Sequence, residues 1–286
     1  MGVPGERERI GYRAPLAVRC FDAAGAPFAR DGLSAVAWPE NDPATTVRAT
    51  LSPVSDLLGF GSVPGRRAYQ RARSTDGEPL NWPAPAAPEP FVVRVTDRAR
   101  RYLPTTVLAE VPVATPVAVP LYPAPGRQAP TGWAVVRGEL HGAPDGAPLG
   151  WGVVEVSTDA GLHSTVSDAD GRFQLCLPYP EALPELPGAS ATGVAPGSAD
   201  PVSGSADPAP VGLAALTWPV TVAVRCRPGA LRRPPDSAAQ DPPYLDSILG
   251  QPPALIDRGG DGPQPTVTET LTFGTALVLP LTVVPS

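Results

Sequence analysis

Trp218-Pro219-Val220-Thr221-Val222-Ala223-Val224-Arg225-Cys226 carries apolar side chains at its even positions, the period-two signature of a strand with one buried face. That phase places Cys226 on the buried side. Arg172-Phe173-Gln174-Leu175-Cys176-Leu177 reads the same way, with Phe173, Leu175 and Leu177 buried and Cys176 on the opposite face. The runs at 133–140, 150–158, 162–167, 266–273 and 275–284 add further strands, so the chain after residue 132 holds seven, enough for one sandwich. Before it, strands are expected at 14–21, 33–38, 45–51, 91–96, 105–111 and 116–122, separated by turn signals such as Ala24-Gly25 and Asp31-Gly32.

Composition agrees with an all-β reading. The 286 residues include 41 Pro and 29 Gly, which disfavours long helices and long central strands. Yet 42% are hydrophobic and fall in short bounded runs, so short strands punctuated by turns are expected rather than disorder. The formal net charge is −6 and every basic residue is Arg. Scattered Arg groups on an acidic chain lack the one-sided basic stripe that phosphate binding needs, which excludes nucleic acid as the expected partner. No membrane partner is expected either, because no apolar run is long enough to cross a bilayer. The polar amino-terminal residues do not read as a secretory signal, and an odd count of three Cys fits a reducing compartment. A cytoplasmic protein is expected, or one assembled into a particle released from the cytoplasm.

The expected organisation is two β-sandwich-like domains joined by a Pro-rich linker. Residues 1–9 form an N-terminal extension, 10–122 an N-terminal β domain, 123–132 the linker and 133–286 the second sandwich. The prolines of 123–130 make the linker a stiff spacer. Two insertions interrupt the second sandwich, at 183–210 and 228–265. The first holds a near repeat, Gly197-Ser198-Ala199-Asp200-Pro201 and Gly204-Ser205-Ala206-Asp207-Pro208, and reads as a surface loop. The second holds Asp241 to Gly250, read as a capped two-turn helix whose Tyr244, Leu245, Ile248 and Leu249 share one face. That face either covers an open end of the sandwich or docks a partner. Trp82, in the Pro-rich stretch 74–90, is the other candidate interface residue. Ser52 to Gly59 reads as one helical turn with Ser52 as cap and Gly59 as its end.

Side chains for catalysis are scarce. His141 and His163 each sit near a turn, away from other nitrogen or sulfur ligands at metal-site spacing. Asp168-Ala169-Asp170-Gly171 lacks the later oxygen ligands of a calcium loop, and Asp-Gly is expected to close a hairpin between its flanking strands. Asp236/Asp241 and Asp257/Asp261 read as solvated loop carboxylates. No catalytic, metal or cofactor-binding residue is assigned, and no cofactor is expected.

Ala134-Val135-Val136-Arg137-Gly138-Glu139-Leu140, the run from Trp151 to Thr158, and Thr165-Val166-Ser167-Asp168-Ala169-Asp170-Gly171-Arg172-Phe173 together resemble the carboxypeptidase regulatory-like family. The resemblance spans roughly residues 131–180. It implies a transthyretin-like β-sandwich with long loop insertions, and a module that is non-catalytic in most of its settings. Phe91-Val92-Val93-Arg94-Val95-Thr96-Asp97, Arg101-Tyr102-Leu103-Pro104 and Val119-Pro120-Leu121-Tyr122-Pro123-Ala124-Pro125, combined with that regulatory-like module, are similar to accessory proteins of contractile phage-tail-like injection systems. That second resemblance implies a structural component of the cap or baseplate region, with tail sheath, tube or cap proteins as partners. The competing expectation is a carbohydrate- or protein-binding module unrelated to such particles.

Overall fold

The computed structural model describes residues 9–28, 30–65, 70–74, 79, 87–180, 216–260 and 262–284, and the chain is all-β. Residues 1–8, Trp82 and the whole 183–210 insertion lie outside the described residues. The first unit contains β1 (Arg9–Arg13), β2 (Leu16–Asp22), β3 (Leu33–Pro39), β4 (Val47–Arg48), β5 (Thr50–Leu51), β6 (Leu58–Phe60), β7 (Gln70–Ser74), β8 (Glu89–Asp97), β9 (Thr105–Val111) and β10 (Val117–Leu121). Two four-stranded sheets, β10-β2-β6-β5 and β4-β3-β8-β9, face each other. Leu16, Val18, Phe60 and Val119 of one meet Ala37, Phe91, Val93 and Val111 of the other in a single core, so this unit is itself a sandwich. The β1 and β7 strands pair separately as a two-stranded ribbon.

The turn after Ser52 differs from expectation. Ser52 Oγ does accept the Ser55 N–H at 3.3 Å, but Asp56 turns back at φ 57° and Gly59 lies inside β6, opposite Ala17 and Thr50. Leu58 and Phe60 alternate into the core on either side of it. Burial of those two side chains decides the conformation over the local helix signals.

The second unit contains β11 (Trp133–Gly142), β12 (Val153–Thr158), β13 (Gly161–Val166), β14 (Arg172–Pro178), β15 (Thr217–Arg225), α1 (Leu245–Leu249), β16 (Pro253–Asp257), β17 (Thr266–Thr272) and β18 (Leu277–Val284). One layer runs β14-β11-β18-β16, the other β13-β12-β15-β17. Val136, Leu140, Phe173, Leu175, Val222 and Leu281 lie in the core between them. Val220, Val222, Val224 and Cys226 are all buried, as their alternation requires.

The 228–265 segment is not wholly an insertion, because β16 lies within it and pairs with both β15 and β18, joining the layers into one eight-stranded sheet. The 167–171 turn does not close a hairpin: β13 pairs with β12 and β14 with β11, so the chain crosses from one layer to the other. Asp168 Oδ1 holds this crossing by accepting the N–H groups of Asp170 (3.0 Å) and Arg172 (2.8 Å), while burial pushes the Asp168 carboxyl up. Gly171 completes it at φ +80°, where a Cβ would lie 2.6 Å from the Leu140 carbonyl oxygen.

No helix among the described residues is long and apolar enough to cross a membrane. The tightest backbone approach in the second core is at Gly138, where a Cβ would lie 1.9 Å from the Leu279 oxygen and 2.9 Å from Phe173 Cζ. Gly138→Ala must push β11 away from β18, so denaturant unfolding should show a loss of at least about 2 kcal/mol. Gly126→Ala, which meets nothing within 4 Å, is the control and should change stability by less than about 0.5 kcal/mol.

Candidate functional site

Helix α1 sits where the two units meet. It is one turn shorter at its amino end than expected, because Asp241 does not cap it: that carboxylate accepts from Arg94 Nη1 at 3.1 Å and from the Ala238 N–H. Gly250 ends it as anticipated. Leu245 and Ile248 are buried with Leu103 and Tyr122 of the first unit and Trp151, Val153 and Val166 of the second. Tyr244 packs on Trp38 and Val92, and its hydroxyl donates to Glu40 Oε1 at 2.8 Å. Leu249 is half-buried against the same cluster. These four residues therefore line an internal seam between the units, and their apolar face is turned away from solvent. Trp82 lies outside the described residues.

The linker is fastened along its length rather than standing as a spacer. Tyr102 bridges Pro123, Leu103 N–H donates to the Tyr122 carbonyl, and Ala124 N–H donates to the Arg101 carbonyl. Arg127 then reaches back into the first unit. Its guanidinium lies 2.5 Å from Asp22 Oδ2 and 4.5 Å above the Tyr102 ring, and both charged side chains are almost fully buried. Tyr102 donates its hydroxyl to the same Asp22 oxygen at 3.1 Å; burial, then the Asp22 charge, pushes that phenol up to about 12. Meanwhile the Arg127 carbonyl accepts from Gln174 Nε2, at 2.5 Å, on the outer face of β14. One residue thus grips both units. This cover explains why Gln174 and Cys176 are buried although their strand phase points them away from the sandwich core.

Trp151 wedges into the seam from the second unit. Placed in a strand by its sequence pattern, it instead precedes β12 in a left-handed conformation at φ 65°, which costs on the order of 1–3 kcal/mol for a non-glycine residue. Its N–H donates to the Asp168 carbonyl, and its own carbonyl accepts from the buried Gln251 Nε2 at 2.8 Å. Gln251 also caps α1 by donating to the Ile248 carbonyl and accepts the Arg227 N–H, so it ties helix, wedge and β15 end together.

Among the described residues, the two histidines and the three cysteines do not converge. His141 lies on the outer face of β11, with Nε2 at 3.3 Å from Glu139 Oε2 and Nδ1 at 3.2 Å from the Gly146 carbonyl. Glu139 continues to Arg172 at 3.7 Å, so this contact belongs to a string of polar side chains on an open strand face, not a cleft. His163 is in the other layer, opposite Val156, with Nε2 buried and unpartnered, and burial pushes its imidazole down. All three Cys are free and buried, and burial raises Cys20 to about 12 and Cys226 to about 11. Among the described residues no group of three or more His, Cys, Asp or Glu is placed to hold a metal ion.

The solvent-facing features are shallow. Depressions of about 410 and 620 Å³ adjoin at Val278 and Pro280, with Arg137, Glu139 and Arg172 around one and Asp257, Arg258 and Glu269 around the other. At the end of the second sandwich Tyr179 packs on Trp218 and Phe273, with ring centroids 5.2 and 4.7 Å apart. No family model, no curated protein and no solved structure matches the chain.

Asp22 and Arg127 were missed as a pair, though each left a signal. Asp22 falls on the buried phase of β2, after Leu16, Val18 and Cys20, and a buried carboxylate demands a partner. Arg127 is the only charged residue between 123 and 130. Removing one partner strands the other charge, so Asp22→Asn and Arg127→Met should each cost about 3 kcal/mol or more in urea unfolding. The double variant should lose clearly less than the sum of the two. A second expectation concerns His163. Its depressed folded-state pKa keeps it neutral in the folded chain, so stability is full above about pH 6.5 and declines as pH falls until the ring protonates in the folded state. His163→Gln should flatten that part of a pH-dependent melting curve.

Proposed function

We propose that the chain is a non-catalytic structural protein that presents two β-sandwiches to protein partners in a fixed relation. The single observation carrying this is Arg127, whose side chain is buried in one unit while its carbonyl is bound by the other. Relative motion is the default for two units in one chain, and a joint that suppresses it keeps two surfaces in register, as an assembly component requires. The specific setting we propose is an accessory component of the cap or baseplate region of a contractile phage-tail-like injection particle, with sheath, tube or cap proteins as neighbours. Support for that setting comes from the sequence resemblance around 91–104 and 119–125 together with the regulatory-like pattern that follows, which is an analogy of pattern.

The Tyr179, Trp218 and Phe273 cluster favours a second reading, a carbohydrate-binding module, because partly exposed aromatic rings at a sandwich end suit the apolar face of a sugar. The two readings separate cleanly. Under the first, the chain expressed at its native level co-sediments with sheath or tube proteins in the particle fraction; a chain left wholly in the supernatant beside intact particles contradicts it. Under the second, the full-length chain binds immobilised glycans and Trp218→Ala abolishes that binding.

A further inference from the structure

The second unit ends in an edge strand with an unusual sequence. Strand β17, Thr266-Val267-Thr268-Glu269-Thr270-Leu271-Thr272, reads nearly the same in both directions about Glu269. Its ladder is with β15 alone, from Thr217↔Thr272 to Ala223↔Thr266. Phe273 N–H donates to the Leu216 carbonyl at 3.0 Å, which makes the odd-numbered residues of β17 the ones bonded to β15. Pro219, which has no N–H to give, sits opposite Thr270 in the complementary set, as that phase requires. The N–H and C=O groups of Thr266, Thr268 and Thr270 and the Thr272 N–H therefore point outward, and no described residue pairs with them, while the Thr272 carbonyl accepts the Thr275 N–H at 3.2 Å. Thr266, Thr268 and Thr270 are exposed. The strand has no Pro, Lys or bulge to blunt it, and its one inward-pointing charge, Glu269, is neutralised by Arg258.

We propose that β17 is a self-association edge that pairs antiparallel with β17 of a second copy of this chain. A two-fold axis through Glu269 sets Thr268 opposite the partner's Thr270, Thr266 opposite the partner's Thr272, and Val267 opposite the partner's Leu271. Thr268 and the partner's Thr270 then exchange both N–H···O=C bonds, and the Thr272 N–H meets the partner's Thr266 carbonyl. Threonine faces threonine on the solvent side, and the apolar pair extends the core side, where Leu271 is buried and Val267 packs on the core. The same axis brings the two Glu269 carboxylates together, and each is already paired with its own Arg258. Because the contact uses one patch on both copies, it closes as a dimer and does not propagate. This surface is independent of the proposed function, since no particle protein takes part in it.

Sedimentation velocity on the full chain over a wide concentration range tests the proposal. The chain should reach twice 29.5 kDa. Thr268→Pro removes an outward N–H without touching the β15 ladder, and should hold the protein at 29.5 kDa with its circular dichroism unchanged. Should that variant misfold, Thr268→Lys with Thr270→Lys gives the same readout from exposed positions. Arg258→Met, which leaves two carboxylates facing each other, should weaken the dimer at least tenfold, and adding Glu269→Gln should restore it. A wild-type chain that stays at 29.5 kDa, a dimer indifferent to the β17 variants, or an open-ended series of masses would each overturn it.

Discussion

A guanidinium and a carboxylate buried together, Arg127 from the linker and Asp22 from the end of β2, set the geometry of the whole chain. Neither charge tolerates burial alone, so the linker has one place in which it satisfies both. That place also puts the Arg127 carbonyl within reach of Gln174 on β14. The pair's net contribution to stability is small, because desolvating two ions offsets most of their attraction. Its effect is on specificity: any other disposition of the two sandwiches leaves a buried charge without a counter-charge.

The apolar seam supplies the favourable energy that the ion pair does not. Leu103, Trp151, Leu245 and Ile248 are each buried there, at about 1.5–3 kcal/mol per large side chain removed from water. Against that stand the left-handed backbone of Trp151 and two buried polar atoms without partners, Trp151 Nε1 and Thr106 Oγ1, at about 1–3 kcal/mol each. The gain and the cost are of the same order, so loosening any of the four apolar groups removes much of the margin. The seam is thus cooperative: helix α1, the Trp151 wedge and the linker hold or loosen as a set.

Strands whose two faces differ were plain in the sequence. The 105–111 run matches β9, and 218–226 falls within one residue of β15 at each end, because buried apolar side chains recur at every second position, Val107 excepted as half-buried. Where the signal was short or both faces were covered, it failed. Strand β6 has three residues and β16 five, too few for a period to register beside Pro and Gly. Cys176 was placed on the outer face correctly, but what covers that face comes from Arg127, forty-nine residues earlier by number, and no local pattern carries such a contact. The face of α1 was visible as apolar; its burial against Leu103 and Tyr122 was not, since those residues lie in another unit.

The most direct measurement of the joint is a pulsed electron–electron dipolar distance between spin labels on the two units. Leu51 of β5 and Leu162 of β13 are exposed, and the native Cys are buried, so Leu51→Cys with Leu162→Cys gives selective labelling. The labelled chain is diluted with unlabelled chain so that only distances within one molecule are read. One narrow distance population is predicted with the linker intact. A broad or multi-peaked distribution would contradict the claim that Arg127 and the seam hold the two sandwiches in a single relation.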